Sequence, residues 1–273
     1  MTAPTLIRPD VDAYPIGLRD LEDPPPVWIA GTVPALPAVA VVGTRRCTRY
    51  GLDLAEAFGG VIAGAGWTTV SGLARGIDAA AHRGCLRLSG GAVAVLGSGI
   101  DVCYPRENQP VYDEILGTGG AILSEYPPGT PPDRWRFPAR NRLIAAISQA
   151  VVVVEAAATG GALITARLAA EMGRPVFVVP GDVEREMSEG CNRLIRDGAH
   201  PVLGSSDLVE ELSLVLGPPA SLTDTTHGIP AQGVRLSDLP DIWSLTITET
   251  LVKLGRLEVE GKVKRLGDYV VPS

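Results

Sequence analysis

The chain has 273 residues, 45% of them apolar, and a formal net charge of −7. This length can bury a full hydrophobic core and fits one large domain followed by a small one. The negative charge argues against an indiscriminate nucleic-acid binder, although a focused basic groove on an acidic protein still binds a polyanion. No apolar run is long enough to span a bilayer and the N-terminus lacks a signal-peptide pattern, so we predict a cytoplasmic protein without membrane association.

The cysteines and histidines are few and scattered. Four cysteines lie far apart along the chain, and only three histidines could join them as metal ligands. The sequence therefore predicts neither a zinc site nor a disulfide framework, and it calls for no cofactor.

The first recognisable elements lie near the N-terminus. Residues 1–38 are rich in proline, with one predicted strand at 27–30, and an apolar run at 39–42 is typical of a buried parallel strand. The loop that follows contains Gly43, Thr44, Arg45, Arg46 and Arg49. It leads into a predicted helix, whose free N–H groups and positive dipole end would meet the arginines, so the corner is predicted to bind phosphates. Surface arginines beside a tight turn are the alternative.

From here the pattern alternates between strands and helices. Further strands are predicted at 67–71, 92–96, 121–124, 151–155 and 176–179, with helical segments between them. This alternation predicts an α/β fold with a doubly wound, mostly parallel sheet. Ligands of such sheets bind at the carboxyl ends of the strands, so the loops at those ends are the candidate sites.

Two of these loops are rich in small residues. In SGLARGID, Ser71, Gly72 and Gly76 permit close approach of a ligand, and Asp78 is predicted to cap the helix that holds His82. We interpret Asp78 and His82 as structural rather than catalytic residues. The loop GSGIDVCYP resembles the first half of a dinucleotide fingerprint but lacks its third glycine, so NAD or FAD binding is not expected.

The segment DRWRFPARNRLIAAIS combines basic and aromatic residues ahead of an apolar helical pattern. Its basic positions are Arg134, Arg136, Arg140 and Arg142, and Asn141 lies among them. The arginines would neutralise phosphates, while Trp135 and Phe137 would stack on the bases of a nucleotide strand. Alternatively, both rings anchor the loop in the core.

Glycine turns mark two later helix starts. Gly160 and Gly161 separate a buried strand from a helix, and together with Thr165 they are predicted to face the same ligand groove. The tripeptide Gly-Cys-Asn at 190–192 is predicted to begin another helix, with its asparagine fixing a backbone turn.

The predicted organisation has three parts. Residues 1–217 form the main domain with its lead-in, 218–233 a linker, and 234–273 a small module. A helix around 247–254 followed by a hairpin pattern gives the module the character of a degenerate winged helix.

Several ordered motifs together resemble the DNA processing protein A family, DprA, also called Smf. They are GTRRCTRYG, SGLARGID, GSGIDVCYP, SEYPPG, FPARNRLIAAIS, TGGALITARLA, and VPG followed by SEGCNRLIRDGA, over roughly residues 14–216. The resemblance implies an extended Rossmann-like domain that binds single-stranded DNA, forms a homodimer and loads the recombinase RecA on incoming DNA during natural transformation. It implies no catalytic reaction. The extra N-terminal helical domain of many members is not expected here, and the C-terminal module is shorter than a full winged helix.

The loops and the resemblance together define a predicted DNA-binding set. The family's basic positions fall on Arg45, on Arg75 and on the FPxRNR segment that begins at Phe137. The full set is Gly43, Thr44, Arg45, Arg46, Ser71, Gly72, Arg75, Phe137, Arg140, Asn141, Arg142, Gly160, Gly161 and Thr165. The tail 218–273 is expected to be dispensable for DNA binding, because these loops all lie before it.

The predicted homodimer needs an apolar surface. Leu208, Val209, Leu212 and Leu216 form an apolar helical face late in the main domain. Family members dimerise in this part of the chain, so we predict the dimer contact here, although the face could equally pack internally.

The alternative function is a nucleotide-hydrolysing enzyme, because the Lonely Guy phosphoribohydrolases share the broad fold. Their PGGxGTxxE loop carries a catalytic glutamate. Aligned on Gly160 and Gly161, this chain has Leu163, Ile164 and Arg167 where the glycine, threonine and glutamate belong. The catalytic group is missing, so the sequence predicts a binding protein and no enzyme.

Overall fold

A computed structural model describes residues 3–88, 90–217, 225–226, 229–230, 233–243 and 245–272 of the chain. The main sheet contains β1 (Thr5–Ile7), β2 (Val27–Gly31), β3 (Ala38–Val42), β4 (Thr68–Ser71), β5 (Ala92–Leu96), β6 (Ala121–Ser124), β7 (Ala150–Val153), β8 (Val176–Val178) and β9 (His200–Pro201). The helices around it are α1 (Arg49–Gly64), α2 (Ile77–Leu86), α3 (Gln109–Gly117), α4 (Arg136–Ile147), α5 (Gly161–Glu171), α6 (Glu186–Arg196) and α7 (Ser205–Leu216). Every strand predicted after the lead-in is present within a few residues.

The nine strands are arranged in the order β1-β2-β6-β5-β4-β3-β7-β8-β9. Strands β3 to β9 are all parallel, and only β1 and β2 of this sheet run antiparallel to their neighbours. After β1 and β2 at one edge of the sheet, the chain crosses to β3, moves outward through β4, β5 and β6, and returns to pair β7 with the other side of β3. The sheet is therefore doubly wound, as predicted, with its topological switch point between β3 and β7.

The central strands are apolar along their whole length because helices cover both faces of the sheet. In β3, Ala40 and Val42 pack with α4 and α5 on one face, whereas Val39 and Val41 pack with α1 and α7 on the other. Each central strand therefore contributes side chains to two hydrophobic layers, one on each face of the sheet. This explains why apolar and polar residues do not alternate along it. Among the described residues, no helix is long and apolar enough to cross a membrane.

The apolar face that was predicted to form the dimer contact lies on helix α7. Leu208 and Leu212 are fully buried, and Val209 and Leu216 pack against the same cluster on the α1 side of the sheet. The face is therefore used inside the chain, which was the alternative that the sequence left open. Leu208 and Leu212 are therefore not available for a dimer contact, whereas Val209 and Leu216 are only partly buried, and the homodimer itself stays a prediction.

Helix α6 corrects one predicted boundary. The helix begins at Glu186 rather than at the Gly-Cys-Asn tripeptide, because the polar residues before the tripeptide are helical and not part of the loop. Asn192 nevertheless fixes a turn as predicted: its amide pairs with both the N–H and the carbonyl of Gly181, at 3.2 and 2.9 Å.

The C-terminal module is a small antiparallel sheet packed on two helices. After the strand pair β10 (Thr225–Thr226) and β11 (Ile229–Pro230), it contains β12 (Val234–Arg235), α8 (Leu239–Trp243), α9 (Ile247–Val259), β13 (Val263–Leu266) and β14 (Tyr269–Pro272). Thr246 and Glu249 form a capping box that starts α9, and β13 and β14 form the predicted hairpin. Most of the predicted linker 218–233 lies outside the described residues.

Candidate nucleic-acid interface

A cavity of about 520 Å³ opens at the carboxyl ends of β3 and β7, at the switch point of the sheet. This is where open α/β sheets bind their ligands. The loops after β3 and β7 and the N-terminal turns of α4 and α5 form most of its wall. The members of the predicted set that line it are Gly43, Thr44, Arg45, Arg46, Phe137, Arg140, Asn141, Gly160, Gly161 and Thr165.

The loop after β3 is held by the backbone and leaves its arginine side chains exposed. Thr44 N–H donates to the carbonyl of Glu155 at 2.7 Å, and the Arg46 N–H donates to the Thr44 hydroxyl at 3.2 Å. The Arg45 guanidinium lies over the Phe137 ring, 4.8 Å from its centroid. A cation–π contact of this kind orients the arginine without neutralising its charge.

The N-terminus of α1 is closed to phosphate, which corrects the prediction for this corner. Thr48 caps the helix by accepting a hydrogen bond from the Gly51 N–H. The Glu155 carboxylate, 107 residues along the chain, accepts from the Thr48 N–H at 2.8 Å and from the Thr48 hydroxyl at 2.6 Å. An acidic side chain from the end of β7 therefore already occupies this positive helix end.

The N-terminus of α5, in contrast, is open to the cavity. No side chain caps it, and both Gly160 and Gly161 are exposed at the cavity. The Gly161 carbonyl accepts from the Asn141 amide at 3.0 Å and from the Thr165 hydroxyl at 3.1 Å, which fixes the turn. The first N–H groups of α5 have no acceptor within the helix, so this end suits an anion.

The loop SGLARGID is organised by Asp78. Its carboxylate accepts from the N–H groups of Gly72 at 3.1 Å and Ala74 at 3.4 Å, so it holds the preceding loop. The prediction that Asp78 caps its own helix is therefore wrong, because no side chain caps α2. Burial raises the pKa of Asp78, and the charge of Arg140 opposes that shift. Ser71 is fully buried and donates to the carbonyl of Val41 at 2.6 Å.

His82 lies beneath this loop and has a structural role. It is fully buried, and burial lowers its pKa to about 3. The imidazole is therefore neutral at pH 7 and lies outside the cavity wall.

Arg140 reaches the cavity wall from the inside and is not an exposed ligand. It is 3% exposed, and its guanidinium donates to the Gly72 carbonyl at 2.9 Å and to the carbonyl of Val95. Burial lowers its pKa to about 10, so it stays charged at pH 7. Arg140 thus ties the ends of β4 and β5 to α4, and Gly72 has no room for a side chain because a Cβ there would lie 2.6 Å from the Arg140 Cζ.

Two other predicted arginines are neutralised by acids. Arg142 pairs with Glu125 at 2.5 Å and does not line the cavity. Arg75 makes two hydrogen bonds to Glu107, at 2.6 and 2.9 Å, and lines a smaller recess next to the cavity, together with Gly72. Neither carries the free charge that the sequence suggested.

Arg134 and Tyr104 line the cavity but were not included in the predicted DNA-binding set. Arg134 is exposed and lines the cavity, although it was counted in the arginine cluster. Tyr104 stacks on Phe137 with ring centroids 5.6 Å apart and an interplanar angle of 29°. The loop of Tyr104 carried only the incomplete dinucleotide pattern, which gave no signal for an aromatic layer.

Unpaired positive charge is present at the cavity. Three of the arginines that line it, Arg45, Arg46 and Arg134, have no ion-pair partner among the described residues. Of the described residues that line the cavity, Asp78 is the single carboxylic acid, and it is committed to the loop. The arrangement offers free guanidinium groups, an open helix end and stacked rings, which bind phosphates and bases.

Comparisons with known proteins identify the family of this chain. A family model described as DNA recombination-mediator protein A matches residues 5–213. DNA processing protein DprA of Streptococcus pneumoniae is 42% identical over 205 residues, covering 73% of this chain and 71% of that protein. Protein Smf of Synechocystis sp. is 42% identical over 219 residues, covering 78% of this chain. The chain spans only 55% of the length of that Synechocystis relative.

Solved structures give the same relationship. The X-ray structure of DNA processing protein A from Streptococcus pneumoniae superposes with a TM-score of 0.71 at 39% identity, covering 76% of this chain and 74% of that one. DNA processing protein A from Helicobacter pylori, whose structure gave insight into its unique single-stranded DNA binding mode, superposes with a TM-score of 0.68 at 29% identity, covering 77% and 95%. Family match and shared fold together show that this chain belongs to the DNA recombination-mediator protein A family.

Proposed function

We propose that this protein binds single-stranded DNA and acts as a recombination mediator. The observation that carries the proposal is the cavity at the switch point, where Arg45, Arg46 and Arg134 form no ion pair with any described residue and lie beside the open N-terminus of α5. Three phosphates of one strand can be neutralised there. The proposal also draws on the Helicobacter pylori relative, which is described as binding single-stranded DNA.

Single strands fit the site better than a duplex. Phe137 and Tyr104 lie stacked at the cavity, and Tyr104 is 46% exposed. Aromatic faces of this kind take unpaired bases, which a duplex keeps within its own stack. Affinity for a single strand is therefore expected to exceed affinity for a duplex of the same length.

The cellular role and the oligomeric state are proposed from the family resemblance. We propose that the protein works in the cytoplasm, protects incoming DNA and loads RecA onto it during natural transformation. We also propose a homodimer, with its contact outside the buried face of α7. Light scattering at micromolar concentration tests the dimer, and a purely monomeric protein would contradict it.

We propose further that the main domain of residues 1–217 is sufficient for DNA binding and that the tail 218–273 serves regulation or partner contact. The cavity is built entirely from residues before the tail. A chain that ends near Gly217 should retain single-stranded DNA after circular dichroism has shown it to be folded. Loss of binding by the folded truncation would contradict this division.

The alternative is a nucleotide-hydrolysing enzyme of the Lonely Guy type. At the positions that its loop would occupy, Ile164 is exposed on α5 and Arg167 replaces the catalytic glutamate. Arg167 lies on a different groove, between α5 and α6, and does not line the cavity. Incubation with nucleoside monophosphates should release no free base, and base release would favour the enzyme.

The proposal is tested by Arg45→Ala, with Arg256→Ala as the matched control. Both substitutions remove one positive charge, but Arg256 is far along the chain on α9 and pairs with Glu260 at 2.9 Å. Each phosphate contact on a single strand contributes about 0.7 to the slope of log affinity against log salt. Arg45→Ala should flatten that slope by about 0.7 in fluorescence-anisotropy titrations, and Arg256→Ala should leave it unchanged. Equal losses for both variants would mean diffuse attraction and no defined site.

A further inference from the structure

A second group of basic and aromatic residues lies beyond the cavity, at the carboxyl end of β6. It consists of Tyr126, Trp135 and Arg136, and we call it the outer aromatic cluster. The Arg136 guanidinium lies 4.9 Å from the centroid of the Tyr126 ring and 5.2 Å from that of Trp135. Tyr126 meets Trp135 edge-on, with ring centroids 6.2 Å apart and planes at 89°.

The indole of Trp135 is exposed but fixed in orientation. Its N–H donates to the Asp133 carboxylate at 2.8 Å, and the Arg136 that contacts it is itself tied to the carbonyl of Pro131. The residue is nevertheless 58% exposed, so it does not anchor the loop in the core. A large aromatic ring that is held by its neighbours yet open to solvent loses little conformational entropy when a partner stacks on it.

The outer aromatic cluster continues the row of groups that begins in the cavity. These groups follow one another along the carboxyl edge of the sheet. Gly160 lies after β7 and Arg46 lies after β3. The contacting side chains of Arg45, Phe137 and Tyr104 come next towards β5, and Trp135 lies near β6. From β7 to β6 there are four interstrand spacings, a distance of about 19 Å. At 3.4 Å per stacked nucleotide this is the length of about five to six nucleotides.

We propose that Trp135 is a stacking platform for a base of the single strand that leaves the cavity towards β6. Arg134 directly precedes Trp135 and Phe137 follows it two residues later, and both line the cavity, so the indole stands at its rim. The inference rests on the proposed function and extends it to a second subsite, which only a strand longer than the cavity reaches. Its ligand is a nucleobase, recognised through its π-face and therefore with little sequence preference.

Strand length separates this subsite from the cavity. Oligothymidylates of about 4 and about 12 nucleotides would be titrated by anisotropy, since single-strand sites of this kind begin at about 4 nucleotides. Trp135→Ala should weaken binding of the longer strand about tenfold, the loss expected for one stacked base, and leave the shorter strand unaffected. Trp135→Phe should retain most of the affinity, whereas Trp135→Leu, which keeps an apolar side chain without a ring, should behave like alanine.

Tryptophan fluorescence gives a second readout, which DNA would not change if Trp135 had only a structural role. The longer strand should quench the emission of the wild-type protein, and Trp135→Phe should remove most of that quenching. Thermal melts should show all three variants folded, because the replaced side chain is mostly exposed.

The outcomes distinguish the two proposals. If the wild-type protein binds neither strand, the proposed function itself is wrong. If it binds both strands and Trp135→Ala leaves the longer strand unaffected, the function stands and the platform is refuted. Equal loss on both strands would also refute it, because Trp135 would then act on the cavity and not beyond it.

Discussion

Replacement of Arg140 should destabilise the folded protein and not act as the loss of a DNA contact. The guanidinium is buried, and its removal leaves the carbonyls of Gly72 and Val95 without this donor and the buried Asp78 without the cation that most opposes the rise of its pKa. Loss of one partner from a buried charged arrangement costs about 3–5 kcal/mol. Domains of this size are stable by about 5–15 kcal/mol, so Arg140→Ala should remove a large part of the total.

Differential scanning calorimetry measures this loss directly. For a protein of this size, 1 kcal/mol corresponds to about 2–4 °C, so Arg140→Ala should lower the Tm by about 10 °C. Arg45→Ala should leave the Tm nearly unchanged, because Arg45 is exposed and has no ion-pair partner among the described residues. An Arg140→Ala variant with a wild-type Tm and a DNA affinity as weak as that of Arg45→Ala would refute the reasoning, since Arg140 would then be an ordinary phosphate ligand.

Three further predictions concern the groups that hold the site. Gly72→Ala should lower the Tm, because the added Cβ would overlap the Arg140 guanidinium, and an unchanged calorimetric trace would contradict that packing. Glu155→Gln should lower the free energy of unfolding, measured by urea denaturation, by about 1–3 kcal/mol, because the carboxylate accepts two hydrogen bonds from Thr48 at the start of α1. A variant as stable as the wild type would mean that this cap is dispensable. The free energy of unfolding should fall by up to about 1.4 kcal/mol per pH unit as the pH drops from 6.5 towards 3, because unfolded His82 takes up a proton that the buried imidazole, with its pKa lowered to about 3, does not. In urea titrations, His82→Asn should reduce the fall of the free energy of unfolding between pH 6.5 and 5. If the fall is as steep in the variant as in the wild type, other titratable groups cause it.

The sequence by itself determined the sheet. Strands such as β3, β5 and β7 must be apolar along their whole length because helices cover both of their faces, and this run of residues is visible without any structure. The same holds for the glycine turn of Gly160 and Gly161 at the start of α5 and for helix α9, whose sequence signals lie within a few positions of one another. Local chemistry was sufficient to place these elements and the loops at the carboxyl ends of the strands.

Only the tertiary structure decided which charges in those loops are free. Arg134, Arg140 and Arg142 lie within one short segment, yet the first is exposed at the cavity, the second is buried beneath it and the third pairs with Glu125, 17 residues away. The cap on α1 likewise comes from Glu155, which is 107 residues distant from Thr48. Whether a charged group is available depends on burial and on partners brought close by folding, and sequence spacing contains neither quantity.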